Sequence, residues 1–254
     1  MSALVELSGL EKTYATRTGD VHALSAVDLD ISKGEFVAIV GPSGCGKTTL
    51  LKILAGLEDH TAGTASIGGH PIRTGNGDVG MVFQKATLLP WQDIAANVLL
   101  PLSLRRRPTS QDREKAAALL RMTDLEGFAR KRPHELSGGM QQRAAICRAL
   151  VHKPSLLLMD EPFGALDAMT RDSLNVEVNR IWRETGTTAV LITHSISEAV
   201  FLAERIFVMS ARPGRIVDEI TVPFDRERSL DLLGDPEFAA LTSRIRTHFE
   251  VTHA

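Results

Sequence analysis

Apolar and polar positions along the chain follow two alternating patterns. Short continuous apolar runs occur in GEFVAIV (34–40), SLLLMD (155–160) and TTAVLIT (187–193), and the last two end in polar clusters while the first runs into a glycine-rich loop. Runs of that length predict strands buried in a largely parallel sheet. TTLLKILAGL follows the first of them and predicts a helix. The opening segment, up to about Ile31, alternates apolar with polar residues, as does GTASIGGHPI (63–72) with its glycine-rich turn, and both predict antiparallel strands. From about Ala86 to Val151 strand signals give way to helical ones, including SQDREKAAALLRM, which predicts a helical insertion between core strands. RPGRIVDEITV (212–222) returns to strand character. In GDPEFAALTSRIRTHF, Asp235 is placed to cap a helix that starts at Pro236. Phe238, Leu241, Ile245 and Phe249 then share one face, as a docked amphipathic helix requires. The sum is an α/β fold with a mostly parallel sheet, an antiparallel β subdomain and an inserted α-helical subdomain. Residues 1–85 and 152–225 would form the core with its antiparallel part, 86–151 the helical insertion, and 226–254 a helical tail.

Composition narrows this picture. At 254 residues the chain can bury a sizeable core. Its 29 basic and 31 acidic residues nearly cancel, which argues against coating nucleic acid as its task, and no nucleic-acid partner is expected. Two cysteines, Cys45 and Cys147, make no disulfide framework, so a reducing, cytosolic compartment is expected. MSALVELSGLEKTY carries acidic residues where a signal peptide needs an apolar core, and no apolar run approaches the roughly 20 residues that span a bilayer. Any membrane role must come through partners.

The chemistry begins where the first buried strand ends. GPSGCGKT (41–48) fits G-x-x-x-x-G-K-[ST], with a strand before it and a helix after it. In such a loop successive backbone N–H groups turn inward around a β-phosphate, Lys47 neutralises β and γ oxygens, and Thr48 offers a hydroxyl to Mg²⁺. This predicts a nucleotide phosphate site. In LLLMDEP, Asp160 emerges at a strand end, where a carboxylate can hold Mg²⁺. Glu161 follows at once, and a carboxylate not needed for the metal can orient or deprotonate an attacking water. A solvated acid at a strand end would be the plain alternative for a lone glutamate.

A second loop, ELSGGMQQR (135–143), places Ser137, Gly138 and Gly139 where a helix should begin. Glycine there costs about 1 kcal/mol relative to alanine, yet it gives an anion access to free N–H groups at a helix start. A serine-capped helix explains Ser137 but not two glycines. Together these segments resemble the ATP-binding subunits of ABC transporters, P-loop NTPases, over nearly the whole chain. LSGGMQQR looks like the signature loop of that family, Gln84 in MVFQ like its Q-loop glutamine and His194 in LITHS like its switch histidine. GALD (164–167) looks like its D-loop, with Asp167, although many members have serine where this chain has Gly164. The resemblance implies ATP contacts at Tyr14 (an aromatic on adenine), Gly41, Pro42, Ser43, Gly44, Cys45, Gly46, Lys47, Thr48 and Thr49. It implies Mg²⁺ held through Thr48, Gln84 and Asp160, and hydrolysis through Glu161, His194 and Gln84. Ser137, Gly138, Gly139 and Gln141 would then close on ATP held by a second copy paired head to tail. Cys45 is read as a small loop residue, and RRR (105–107) as a solvated turn.

KATLLPWQDIAANV, GALDAMTR and SARPGRI look like the branch that imports nitrate, taurine, aliphatic sulfonates and related solutes. The resemblance implies two membrane permease subunits docking near Gln84 and, indirectly, an external solute-binding protein. Leu88, Leu89, Pro90 and Trp91 either form an exposed apolar patch for a permease helix or pack with Trp91 inside the helical subdomain. A non-transport ABC ATPase switch and an exporter or lipid-trafficking motor are the competing readings. The solute does not touch this subunit, so these residues do not name it.

Overall fold

The computed structural model describes residues 3–73, 78–164 and 166–250. Ala165 of the GALD segment and residues 251–254 of the tail lie outside the described residues. The chain forms two compact units, Met1–Gly77 with Thr188–Ala254, and Asp78–Thr187.

In the first unit, β1 (Ala3–Thr16) and β2 (Gly19–Ser32) pair antiparallel, and their register breaks at several bulges. The same unit holds β3 (Phe36–Val40), whose side chains are all buried, and α1 (Lys47–Leu54), which follows the glycine loop. β4 (Ala62–Ile67) pairs antiparallel with β1 and with β5 (His70–Pro71), giving the order β2-β1-β4-β5. This is the expected antiparallel subdomain.

The second unit opens with β6 (Val79–Val82) and continues through α2 (Ile94–Ser103), α3 (Ser110–Met122) and α4 (Gly138–Leu150). These helices pack on one another through Val98, Leu102, Leu120, Ala144 and Cys147. Each helix start is fixed by a short polar side chain: Asp93 accepts from Ala96 N at 2.7 Å, and Thr109 and Asp112 form a reciprocal capping box. Arg106, in the predicted solvated turn, reaches back to Asp112 at 2.6 Å. β7 (Leu156–Asp160) runs parallel to β6, and α5 (Ala168–Thr185) closes the unit, ending on Gly186 in the left-handed conformation.

The chain then returns to the first unit. β8 (Thr188–Thr193) pairs parallel with β3, α6 (Ile196–Leu202) follows, and β9 (Arg205–Met209) joins the other side of β3, also parallel. β10 (Ile216–Thr221) pairs antiparallel with β9. The centre of this sheet is fully buried, as continuous apolar runs require. α7 (Pro236–Glu250) packs on α6 with Phe238 and Ile245 buried, the face read from the sequence. Asp235 accepts from Glu237 N at 2.7 Å at its start. Among the described residues no helix is long and apolar enough to cross a membrane.

Candidate functional site

In the first unit the glycine loop is held from within and from below. Lys47 is buried, and its ammonium donates to the carbonyls of Gly41 at 2.7 Å and Pro42 at 3.0 Å. Gly46 sits at the start of α1 with φ +104°, and a Cβ there would lie 2.7 Å from the Ala23 carbonyl oxygen. Only glycine fits, both conformationally and sterically. No acidic residue occupies the first turn of α1 and no side chain caps it. Its leading N–H groups therefore keep the partial positive charge that suits a phosphate. Thr48 is exposed, and the hydroxyl of Tyr14 donates to Thr49 Oγ1 at 3.5 Å, with the Lys12 ammonium 4.8 Å from the Tyr14 ring centre.

His194 belongs to the same end of the sheet. Val40 pairs with Thr193, so Gly41 and His194 leave adjacent parallel strands side by side, where ligands of such sheets bind. His194 is exposed, and its flanks are fixed: Thr193 Oγ1 donates to Glu198 Oε2 at 2.6 Å, and Ser195 caps α6.

The second unit carries the other predicted residues. Val82 pairs with Met159, which sends Gln84 and Glu161 out from the same end of neighbouring strands. Glu161 has φ +45°, a conformation that costs a non-glycine residue about 1–3 kcal/mol and that collects at functional sites. A Cβ on Gly164 would come 3.1 Å from Gln84 Nε2, so the glycine that departs from the family pattern leaves room for the Gln84 amide. Asp167 caps α5, accepting from Thr170 N at 3.0 Å and Thr170 Oγ1 at 2.6 Å, and these hydrogen bonds lower its pKa.

Ser137 caps α4, its Oγ accepting from Met140 N at 3.3 Å. Gly138 and Gly139 follow, but the second glycine has a packing reason the sequence did not reveal. Gly139 is buried, and a Cβ there would meet Thr170 Cγ2 at 2.7 Å. We expect Gly139→Ala to lower the melting temperature despite alanine's better helix propensity, because overpacking costs about 1–3 kcal/mol. Adding Thr170→Ser removes the clashing methyl, keeps the hydroxyl on Asp167 and should restore the melting point. Gln141 does not project freely: its Nε2 donates to the carbonyls of Pro133 at 3.0 Å and Leu136 at 3.1 Å and braces the turn before Ser137.

Several supporting residues were missed from the sequence. The α4 side chains Gln142 and Arg148 hold the segment around Gln84, donating to the Phe83 carbonyl at 2.9 Å and to the Ala86 and Thr87 carbonyls, both at 2.8 Å. The SARPGRI turn braces the glycine loop. Gly214 N donates to the Ala23 carbonyl at 3.0 Å, a Cβ on Gly214 would collide with the Cys45 carbonyl, and Arg212 donates to the Gly44 carbonyl at 3.3 Å. Periodicity carries no trace of such long-range backbone contacts. Cys147 is buried and its thiol is pushed up to about 12 by burial, so it is an inert core residue.

Arg143, last residue of LSGGMQQR, meets Glu177 of α5 at 3.3 Å, while Glu177 Oε1 is buried without a hydrogen-bond partner. Burial raises the Glu177 pKa from 4.5 to about 7. The folded chain then holds a proton that the unfolded chain releases, so this carboxyl's contribution to stability is full below pH 4.5 and is lost as pH rises through about 7. Glu177→Gln should flatten that part of the stability profile in melts taken from about pH 5 to 8; an unchanged slope would place the titration elsewhere.

Trp91 is 68% exposed and Pro90 is exposed, whereas Leu88 packs against the helical core. The patch is therefore smaller than four residues, and Trp91 does not pack inside. Asn97, wholly buried, fixes it there: its Oδ1 accepts from Leu89 N at 2.7 Å and its Nδ2 donates to the Leu89 carbonyl at 3.1 Å.

Comparison with known proteins gives the family. Residues 24–164 match the family model described as ABC transporter. The taurine import ATP-binding protein TauB of Pelagibacter ubique is 42% identical over 97% of this chain and 95% of that protein. An aliphatic sulfonates import ATP-binding protein SsuB of Bacillus cereus is 39% identical over 97% of this chain and 96% of its own length. A dimeric ATP-binding cassette in a post-hydrolysis state with ADP and Pi superposes with a TM-score of 0.74 at 36% identity, covering 87% of this chain and all of that one. The chain belongs to the ABC transporter family, as one of its ATP-hydrolysing subunits.

Proposed function

We propose that this chain is the motor subunit of an importer for a small anion such as taurine, an aliphatic sulfonate or nitrate. The observation that carries the reading is the presence of two helix starts suited to phosphate, at α1 and at α4, in a chain about 40% identical over nearly its full length to taurine and sulfonate import subunits. One start would hold the chain's own ATP, with Lys47 exchanging the Gly41 and Pro42 carbonyls for β and γ oxygens. The other, with Ser137 and the N–H groups of Gly138 and Gly139, would close on the ATP of a second copy paired head to tail. Closure then depends on ATP, and hydrolysis releases it.

Within each site Glu161 would orient or deprotonate the attacking water, with His194 and Gln84 sensing the γ-phosphate and its surroundings. Thr48, Asp160 and Gln84 would each offer Mg²⁺ an oxygen donor, the kind that ion prefers; when bound, the ion would neutralise charge on the transferred phosphoryl group. Exposed Trp91, held out by Asn97, supports docking of a permease subunit near Gln84. The chain would work peripherally on the cytoplasmic face, with an external solute-binding protein feeding the permease.

Growth of a strain lacking the gene on taurine or alkanesulfonates as sole sulfur, and nitrate as sole nitrogen, tests this. Failure on one source, rescued by the intact gene but not by Glu161→Gln, is the expected result. Normal growth on all of them would overturn the assignment to this branch.

A further inference from the structure

The tail beyond β10 has no part in the reading so far, yet one of its side chains reaches deep into the first unit. Arg228 is 5% exposed. Its guanidinium donates to the carbonyls of Val200 at 2.8 Å, Phe201 at 3.1 Å and Ala203 at 3.1 Å, and to those of Phe224 at 3.3 Å and Asp225 at 2.6 Å. The first three belong to the last turn of α6 and the residue that ends it. The final carbonyls of a helix lack intrahelical partners and carry its partial negative charge, so a fork of donors there both satisfies and neutralises them. Burial lowers the Arg228 pKa to about 10, still far above neutrality, so the cap stays charged.

The other end of this seven-residue helix carries the chemistry. Ser195 caps it, Glu198 of its first turn accepts the hydroxyl of Thr193, and Ser195 N donates to Thr193 Oγ1 at 3.0 Å. His194 lies between these two anchors. A short helix gripped at both ends moves as one body, so its C-terminal grip also sets the direction in which residues 193–195 leave the sheet. α7 packs on the same helix, and Phe224 stacks on Phe238 at 6.2 Å between ring centres, which ties the Arg228 segment to the rest of the tail.

We infer that Arg228 is a positioning residue for His194: the tail clasps α6 from its C-terminal end and holds the histidine at the end of β8 beside the phosphate loop. The inference rests on the proposed role of His194 in hydrolysis. Arg228, whose guanidinium is spent on backbone carbonyls, acts through the helix. A displacement near 1 Å at a reacting group can cost on the order of 100-fold in rate, so loss of the clasp should show in turnover while ATP binding, carried by the Lys47 loop, stays intact.

The test compares Arg228→Met, Arg228→Lys and His194→Ala in the full chain. Melting temperatures are measured first, and steady-state ATPase and ATP affinity by titration are then measured at a temperature well below all of them. The expected result is a fall in kcat of about tenfold or more for Arg228→Met, ATP affinity within about twofold of the parent, and partial recovery in Arg228→Lys, which keeps the charge and three donors. A lowered melting temperature with unchanged kcat would overturn the inference, leaving Arg228 a stabilising cap only. So would a parallel loss of kcat and ATP affinity, which would mean that the whole site is disturbed. If Arg228→Met does not fold, Arg228→Lys carries the same comparison. Undiminished turnover in His194→Ala would remove the histidine's role itself and with it the inference, a failure distinct from an inactive His194→Ala beside a fully active Arg228→Met.

Discussion

Glu161→Gln is expected to bind ATP as the parent does while its turnover falls by about 10²–10⁴-fold, the usual contribution of a positioned general base. Glutamine keeps the size and the amide's acceptor oxygen but cannot take a proton. With hydrolysis blocked and the two helix starts proposed for phosphate intact, ATP should hold two copies together, visible as a dimer by light scattering with ATP and a monomer without it. A monomer under conditions of confirmed ATP binding would count against the composite site. The backbone supplies a second arm. At φ +45° a glutamate is strained by about 1–3 kcal/mol, so Glu161→Gly should raise the melting temperature while abolishing turnover. A residue held in a costly conformation whose removal stabilises the fold is placed for chemistry rather than packing. A melting point unchanged or lowered in Glu161→Gly would show that the carboxylate's local contacts outweigh the strain.

Lys47→Ala should instead strike binding itself. The ammonium is buried and hydrogen-bonded to the Gly41 and Pro42 carbonyls at 2.7 and 3.0 Å, poised to transfer those charge-assisted bonds to phosphate oxygens. Each such bond is worth about 1.5–3 kcal/mol, so the loss of affinity for ATP should be at least about tenfold, read by titration with a fluorescent nucleotide. Unchanged affinity would mean that the loop has been misread. The contrast between the two variants is the informative part: Glu161→Gln separates binding from turnover, and Lys47→Ala does not.

Much of the molecule was legible in its pattern of residues. Continuous apolar runs marked β3, β7 and β8 because a strand covered on both faces has no polar side to alternate with. The GPSGCGKT spacing placed the glycine loop between strand and helix, and Asp235 with Pro236 marked the start of α7. Each of these features is local, set by a few neighbouring residues, and the sequence states it directly.

Other features depended on what the fold brings from far along the chain. Gly139 looked like an opening for an anion, and the structure adds a second cause in the Thr170 methyl, a contact with α5. The pattern around Trp91 suits either core or surface, and Asn97, on the helix that follows, pins its turn outward. Gly214 faces Cys45 although most of the chain lies between them, and Gln142 holds the carbonyl of Phe83. By itself the sequence determined the strands, the helices and the residue types suited to phosphate, because periodicity and turn chemistry act over a few residues. Only the tertiary structure decided which side chains hold the loops in place, including the grip of Arg228 on α6, because close packing and carbonyl capping join residues whose separation in sequence carries no signal.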